Sequence, residues 1–307
     1  MFTWSSRHTF LKKVRQRPSF VIDQLVPSTG VTILFGPPSC GKSTMLWTMA
    51  ECIFRGEKFL GRYQTSRALT LLLNLDMPGY AIQDKMIKAR YKPCFDICDF
   101  QSHINITTLQ KDNPAKYMEL AKHGSRHQVI MVDTLSTITT GMSLKDDWVP
   151  GLTISTLRTL FPTQAIILLH HSRKQQMGPF GPIPPHREDA LGSNLWMAMS
   201  QSHLQMYLKG DHLSHLRMAK SQVAPLGEGD DVYVDDTGCR VLPYLPHDHQ
   251  QWLMRLGKAE QTAALQFSDY KTKSLGDRYK IIGNLLTPQC SDVTVRRWIK
   301  RSSYQMI

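Results

Sequence analysis

The stretch Gly36-Pro37-Pro38-Ser39-Cys40-Gly41-Lys42-Ser43-Thr44 fits the spacing GxxxxGK[ST]. It follows a β-rich run and opens a segment whose apolar residues Met45, Leu46, Met49 and Ile53 recur at helical spacing before Gly56. The chemistry requires that order. Glycines let the backbone curl so that its N–H groups and a helix N-terminus point at phosphates. Lys42 then neutralises charge between the outer phosphates of a triphosphate such as ATP, and Ser43 reaches its Mg2+. Two carboxylates close neighbouring apolar runs. Asp133 ends QVIMVD and could hold the ion opposite Ser43 or, more simply, cap a following helix. Asp76 ends LLLNLD just before Pro78 and Gly79, where it could act on a phosphate or cap the next helix. A third apolar run, AIILLHHSRK, ends in His170, His171, Arg173 and Lys174. Successive strand residues point to opposite faces, so only one of the two histidines can face the phosphates. Arg173 and Lys174 are placed for nucleic-acid phosphate or for solvent.

Elements that can position these groups follow from hydrophobic periodicity. From Val31 to about Tyr244, apolar runs of strand length alternate with helix-period segments, including one near 152–161. Strands apolar on both faces imply a mainly parallel sheet flanked by helices, an α/β core. HLQMYLKG and HLSHLRMAK, split at Gly210 and Asp211, predict a hairpin that extends the sheet. QQMGPFGPIPPH, 175–186, is too rich in Pro and Gly for helix or strand and is expected to be a loop. PYLPHDH, 243–249, separates the core from a helical tail. The expected organisation is a basic arm over 1–22, a core over 23–245 and a small helical C-terminal region over 246–307.

The chain of 307 residues is 41% hydrophobic, enough for a full core. No apolar run of about 18 residues occurs, which predicts a soluble, intracellular, cytoplasmic protein without a membrane partner. The six cysteines include no CxxC pair, and Cys94, Cys98 and His103 lack a fourth ligand for zinc. Residues 1–22 carry five Lys/Arg and no acid, and residues 246–307 carry ten against five, so the ends supply +10 of the net charge of +12. Both ends are candidate polyanion contacts or solvated basic surfaces. The acid-free start also has the composition of an organellar transit peptide.

FLGR at 59–62, NLDMP at 74–78, VDTLS at 132–136, LLHHSRK at 168–174, LGSN at 191–194 and RMAKS at 217–221 resemble the RepA-type branch of RecA-like hexameric ATPases over roughly residues 20–225. The resemblance implies a RecA-like P-loop core, a ring or filament of subunits, ATP and Mg2+ at each interface, and loops that grip single-stranded DNA. It implies that Asp76 stands where the family has a water-activating glutamate, one methylene longer. It matches Lys220 to a lysine offered to the neighbouring subunit's γ-phosphate, while Gln222 stands where the accompanying arginine belongs. These departures favour slow hydrolysis. The tail SDVTVRRWIKRSS, 291–303, reads as the recognition helix of a small helix-turn-helix with Arg296, Arg297 and Lys300 on DNA, or as a packing helix or protein contact. Two functions remain open: an ATP-driven single-stranded-DNA motor, a helicase replicating a mobile element, or an ATP-gated DNA-binding assembly factor. A small-molecule kinase would have no use for the basic ends.

Overall fold

A computed structural model describes residues 19–88, 94–100, 104–178, 181–210, 213–234, 240–243, 248–267 and 269–286. The described residues begin with a two-stranded unit, β1 (Phe20–Ile22) and β2 (Val26–Pro27). β3 (Gly30–Gly36), α1 (Lys42–Arg55), β4 (Thr70–Asn74), α2 (Gly79–Lys88) and β5 (Asp96–Asp99) follow. Next come α3 (Leu109–Asp112), α4 (Pro114–Gly124), β6 (Val129–Asp133), α5 (Leu135–Ile138), α6 (Trp148–Leu160) and β7 (Ala165–His171). The remaining strands of the core are β8 (Met177–Gly178), β9 (Gly181–Pro182), β10 (Ser202–Gly210), β11 (Leu213–Ser221), β12 (Asp230–Val234) and β13 (Val241–Pro243), with α7 (Leu195–Met199) before β10. The tail holds α8 (Asp248–Gln266), a 3-10 turn (Tyr270–Thr272) and α9 (Leu275–Leu285).

One nine-stranded sheet runs in the order β13-β12-β11-β10-β3-β7-β6-β4-β5. The six strands from β10 to β5 are parallel, and β11, β12 and β13 add antiparallel. The central strands are buried throughout because helices cover both faces, which is why they read as unbroken apolar runs. Leu34, Leu72, Met131, Ile167 and Leu204 pack with α1 on one side. Ile33, Leu73, Val132, Leu168 and Trp196 pack with α6 on the other. Asn113 starts α4 by accepting from the Lys116 amide, with Pro114 at the first helical position. That start signal was legible in the sequence, yet the helix itself was not anticipated.

One sequence expectation about the core needs correction. The 175–186 segment is not strand-free: β8 and β9 pair antiparallel, and Gly181 at the start of β9 has a φ of 116°. So short a ladder needs few backbone donors, and Pro182 can sit opposite Met177 without disrupting it. The β10–β11 hairpin extends the sheet as expected, and β12 and β13 continue it further. Among the described residues, no helix is long and apolar enough to cross a membrane. The tail has its own small core of Leu256, Ala259, Ala263, Tyr270, Tyr279 and Ile282. Its fully buried Glu260 pairs with Arg278 at 3.1 Å, and that guanidinium lies 4.8 Å over the Tyr270 ring. The 1–18 part of the basic arm, and Arg296, Arg297 and Lys300 of the anticipated recognition helix, lie outside the described residues.

Candidate nucleotide site

Parallel pairing brings the chemistry-bearing strand ends together. Gly36 at the end of β3 sits opposite His171 of β7, and Asn74 of β4 sits opposite Asp133 of β6. Beyond Gly36 the chain curls through Ser39 (φ 61°) and Gly41 (φ 92°) into α1. Two of the loop's glycines are required for different reasons. A Cβ on Gly36 would collide with the Met206 carbonyl of β10, and Gly41 has a left-handed backbone and packs against Val234. The first turn of α1 holds no acidic residue, and its N-cap makes no side-chain hydrogen bond, so the helix N-terminus is free to take an anion.

Within the loop, Pro37 and Cys40 are buried, Pro38 and Ser39 are exposed, and Thr44 is buried at the start of α1. Lys42 is 7% exposed and donates from Nζ to the Pro37 carbonyl at 2.7 Å, which holds the ammonium across the curl. Burial pushes the Cys40 thiol up against the opposing pull of Lys42, so it stays protonated and packs as a small apolar group. Asp133 is buried, and its carboxyl is pushed up to about 6. Burial is the main cause and Asp76 adds to it, while a hydrogen bond from Ser43 and the Lys42 charge oppose it. Asp133 Oδ1 is buried with no hydrogen-bond partner. A hydroxyl on one carboxylate oxygen and an orphaned second oxygen make a hard-oxygen donor pair that fits Mg2+. Asp76 is exposed, two residues past the end of β4, and its charge reaches both Asp133 and His171. His171 is half-buried, and burial and Lys42 pull its pKa down, so it is neutral at pH 7.

A family model described as "AAA domain" matches residues 3–177, more than half of the chain. The chain belongs to the AAA domain family. Among solved structures, this AAA-domain protein is similar to an ATPase domain, with a TM-score of 0.54 at 11% identity over 78% of this chain and 96% of that one. It is also similar to the flagellar accessory protein FlaH of Methanocaldococcus jannaschii, with a TM-score of 0.47 at 11% identity over 70% and 89%. The RadB recombinase gives 0.47 at 10% over 72% and 93%. At 11% identity the first of these is a likeness of fold alone, the RecA-like P-loop ATPase fold. A comparison with curated proteins finds no match.

Other anticipated site residues sit elsewhere in the AAA-domain chain. His170 is a correction: it points away from the loop, as strand alternation demands once His171 faces it. Its ring is buried beside Trp196, its Nε2 meets the Leu191 carbonyl, and burial lowers its pKa to about 4. Lys220 is engaged within its own chain. Its ammonium donates to the carbonyls of Met197, Ala198 (3.3 Å) and Ser200 (3.4 Å), closing the C-terminal end of α7 within the same chain. Arg173 and Lys174 are exposed where β7 enters the 175–186 segment.

That segment is pinned to the hairpin. Gln175 pairs with both backbone groups of Leu208 at 2.8 and 2.9 Å, Gln205 donates to the His186 carbonyl at 2.7 Å, and Arg217 donates to Gln205 at 2.8 Å and to Pro185. Sequence reasoning missed these anchors because a glutamine in a loop, like Gln175, or in an alternating strand, like Gln205, looks like a solvent-facing residue. It also missed Asn74, a polar residue closing an apolar strand and 1% exposed.

Proposed function

We propose that this chain binds ATP with Mg2+ at the 36–44 loop and hydrolyses it as an oligomer working on single-stranded DNA, as a motor in the replication of a mobile element. The observation that supports it is the meeting of Lys42, Ser43, Asp133, Asp76 and His171 at the carboxyl ends of adjacent parallel strands, where open α/β sheets bind ligands. Bound there, ATP with its Mg2+ supplies the electrophilic phosphorus and part of the charge neutralisation.

The chain's own residues supply the rest. Lys42 and the α1 N-terminus hold negative charge, and Ser43 and Asp133 would hold the ion. Exposed Asp76 takes a proton from the attacking water. Neutral His171 hydrogen-bonds without adding charge. Exposed Arg173 and Lys174, next to His171 in sequence, offer cations to a DNA backbone close to the reacting end.

A second reading, an ATP-gated assembly factor with slow hydrolysis, draws support from Lys220. Its ammonium is occupied within its own chain, and Gln222 brings no charge in its place. The experiment measures ATPase rate and particle size with and without single-stranded DNA for the wild type and for Lys42→Ala, Asp76→Asn and Asp76→Glu. DNA-stimulated turnover lost in Lys42→Ala and Asp76→Asn supports the motor. Tight ATP binding with turnover that rises only in Asp76→Glu supports the gate. A folded protein that ignores ATP in calorimetry refutes both.

A further inference from the structure

Asp76 is exposed two residues past the end of β4, so the position of its carboxylate is set by the turn that carries it. We propose that Asn74 is the positioning residue for Asp76, acting with Asp99 as a clamp on the turn that carries it; this rests on the reading of Asp76 as the proton acceptor.

The clamp is built from one carboxamide. Asn74 Nδ2 donates to the Met77 carbonyl at 2.6 Å and to Asp99 Oδ1 at 2.6 Å, and the Met77 amide approaches Asn74 Oδ1 at 3.4 Å. These bonds close the 74–77 turn around Asp76, so the carboxylate rides on a backbone tied at both ends. The strand ends are tied as well: Phe100 N donates to the Asn74 carbonyl at 3.2 Å and Leu75 N to the Asp133 carbonyl at 2.8 Å. Asp99 extends the clamp to α2, since a Cβ on Gly79 would overlap Asp99 Oδ2.

Donor counting shows why residue 74 is an asparagine. Its two partners, a carbonyl and a carboxylate, only accept, so the position needs two N–H groups on a short stem. Aspartate has the shape and lacks the donors. Serine has one donor, and glutamine is a methylene too long. The side chain is 1% exposed, so water cannot replace a lost partner. A turn fixed in this way holds the Asp76 carboxylate in one place, and misplacement by about 1 Å costs on the order of 10²-fold in rate.

The test is steady-state ATPase with parallel ATP-binding calorimetry and thermal melting on the full chain. Asn74→Asp is expected to lower kcat by about 30- to 100-fold while ATP affinity stays within about threefold, because the 36–44 loop is untouched. Adding Asp99→Asn swaps donor and acceptor across the 74–99 bond and is expected to recover about tenfold. Gly79→Ala displaces Asp99 from the opposite side. It is expected to lower kcat about tenfold while lowering Tm by no more than the few degrees that the one hydrogen bond it disturbs is worth, and it carries the test if Asn74→Asp does not fold.

The proposal is overturned if Asn74→Asp turns over within threefold of wild type, if the double variant recovers nothing, or if the losses are in ATP affinity alone. Asp76→Asn in the wild-type background separates the two failures. An active Asp76→Asn, or a wild type that binds ATP without turnover, ends the reading and the clamp's role together. An inactive Asp76→Asn beside an active Asn74→Asp ends only the clamp.

Discussion

Replacing Asp133 with asparagine should make the empty protein more stable and the nucleotide site useless. Moving the carboxyl from 3.8 to about 6 costs its ionised form about 3 kcal/mol at neutral pH. Asparagine removes that charge at nearly equal volume. It leaves one buried polar atom unmet, as the wild type does at Oδ1, and the lost charge-assisted bond from Ser43 gives back about 1 kcal/mol. A net gain of about 2 kcal/mol corresponds to a Tm higher by about 5 °C for a core of this size.

The sign fixes the pH window. The folded-state pKa lies above the unfolded one, so wild type is relatively most stable below about 4 and loses that stability as pH rises through about 6. The carboxamide of Asp133→Asn does not titrate, so the variant's advantage is full above about pH 6 and vanishes towards pH 4. The assay is thermal melting in a chelator without nucleotide at pH 4.5, 6 and 7.5, repeated with Mg2+ and ATP. With ligand the order should invert, because only wild type gains from binding. A variant less stable than wild type at pH 7.5, or an advantage that does not change with pH, refutes the account of Asp133.

Other consequences can be checked separately. Lys42→Ala is expected to fold, since it removes one bond to Pro37, and to lose at least about 10²-fold in ATP affinity by calorimetry. Wild-type affinity for ATP with Mg2+ should fall up to about tenfold per pH unit below about 6, because the ion must displace the Asp133 proton. Lys220→Ala should lower the Tm of the nucleotide-free protein by a few degrees by releasing the end of α7; an unchanged melt with reduced turnover would show that this lysine serves another subunit instead. Arg278→Met should destabilise the 256–286 unit by taking the paired cation from buried Glu260, whose Oε1 also meets the Tyr270 hydroxyl at 3.3 Å, read as faster hydrogen exchange in α9.

The α/β core was legible in the sequence because doubly buried strands leave long apolar runs, and the nucleotide loop was legible because its chemistry is local. Less visible was anything set by contacts between distant residues. Whether His170 or His171 faces the loop depends on strand register, and it was settled by β7 pairing with β3. Lys220 looked available because nothing in its neighbourhood reveals that the end of α7, some twenty residues earlier, would take up its ammonium. Asn74 passed as a strand-ending polar residue because its partner Asp99 is fixed only once β5 pairs with β4. The β12 and β13 strands were hidden by their shortness and by the polar segment before them.

The glycine contact beneath the nucleotide loop also bears on where this protein can be cut. The family match stops at residue 177, yet Gly36 rests on the Met206 carbonyl and Gly41 on Val234. A fragment trimmed to the matched span would keep every signature residue and lack the floor on which the loop is moulded, so nucleotide grip is expected only once the chain is complete through residue 234.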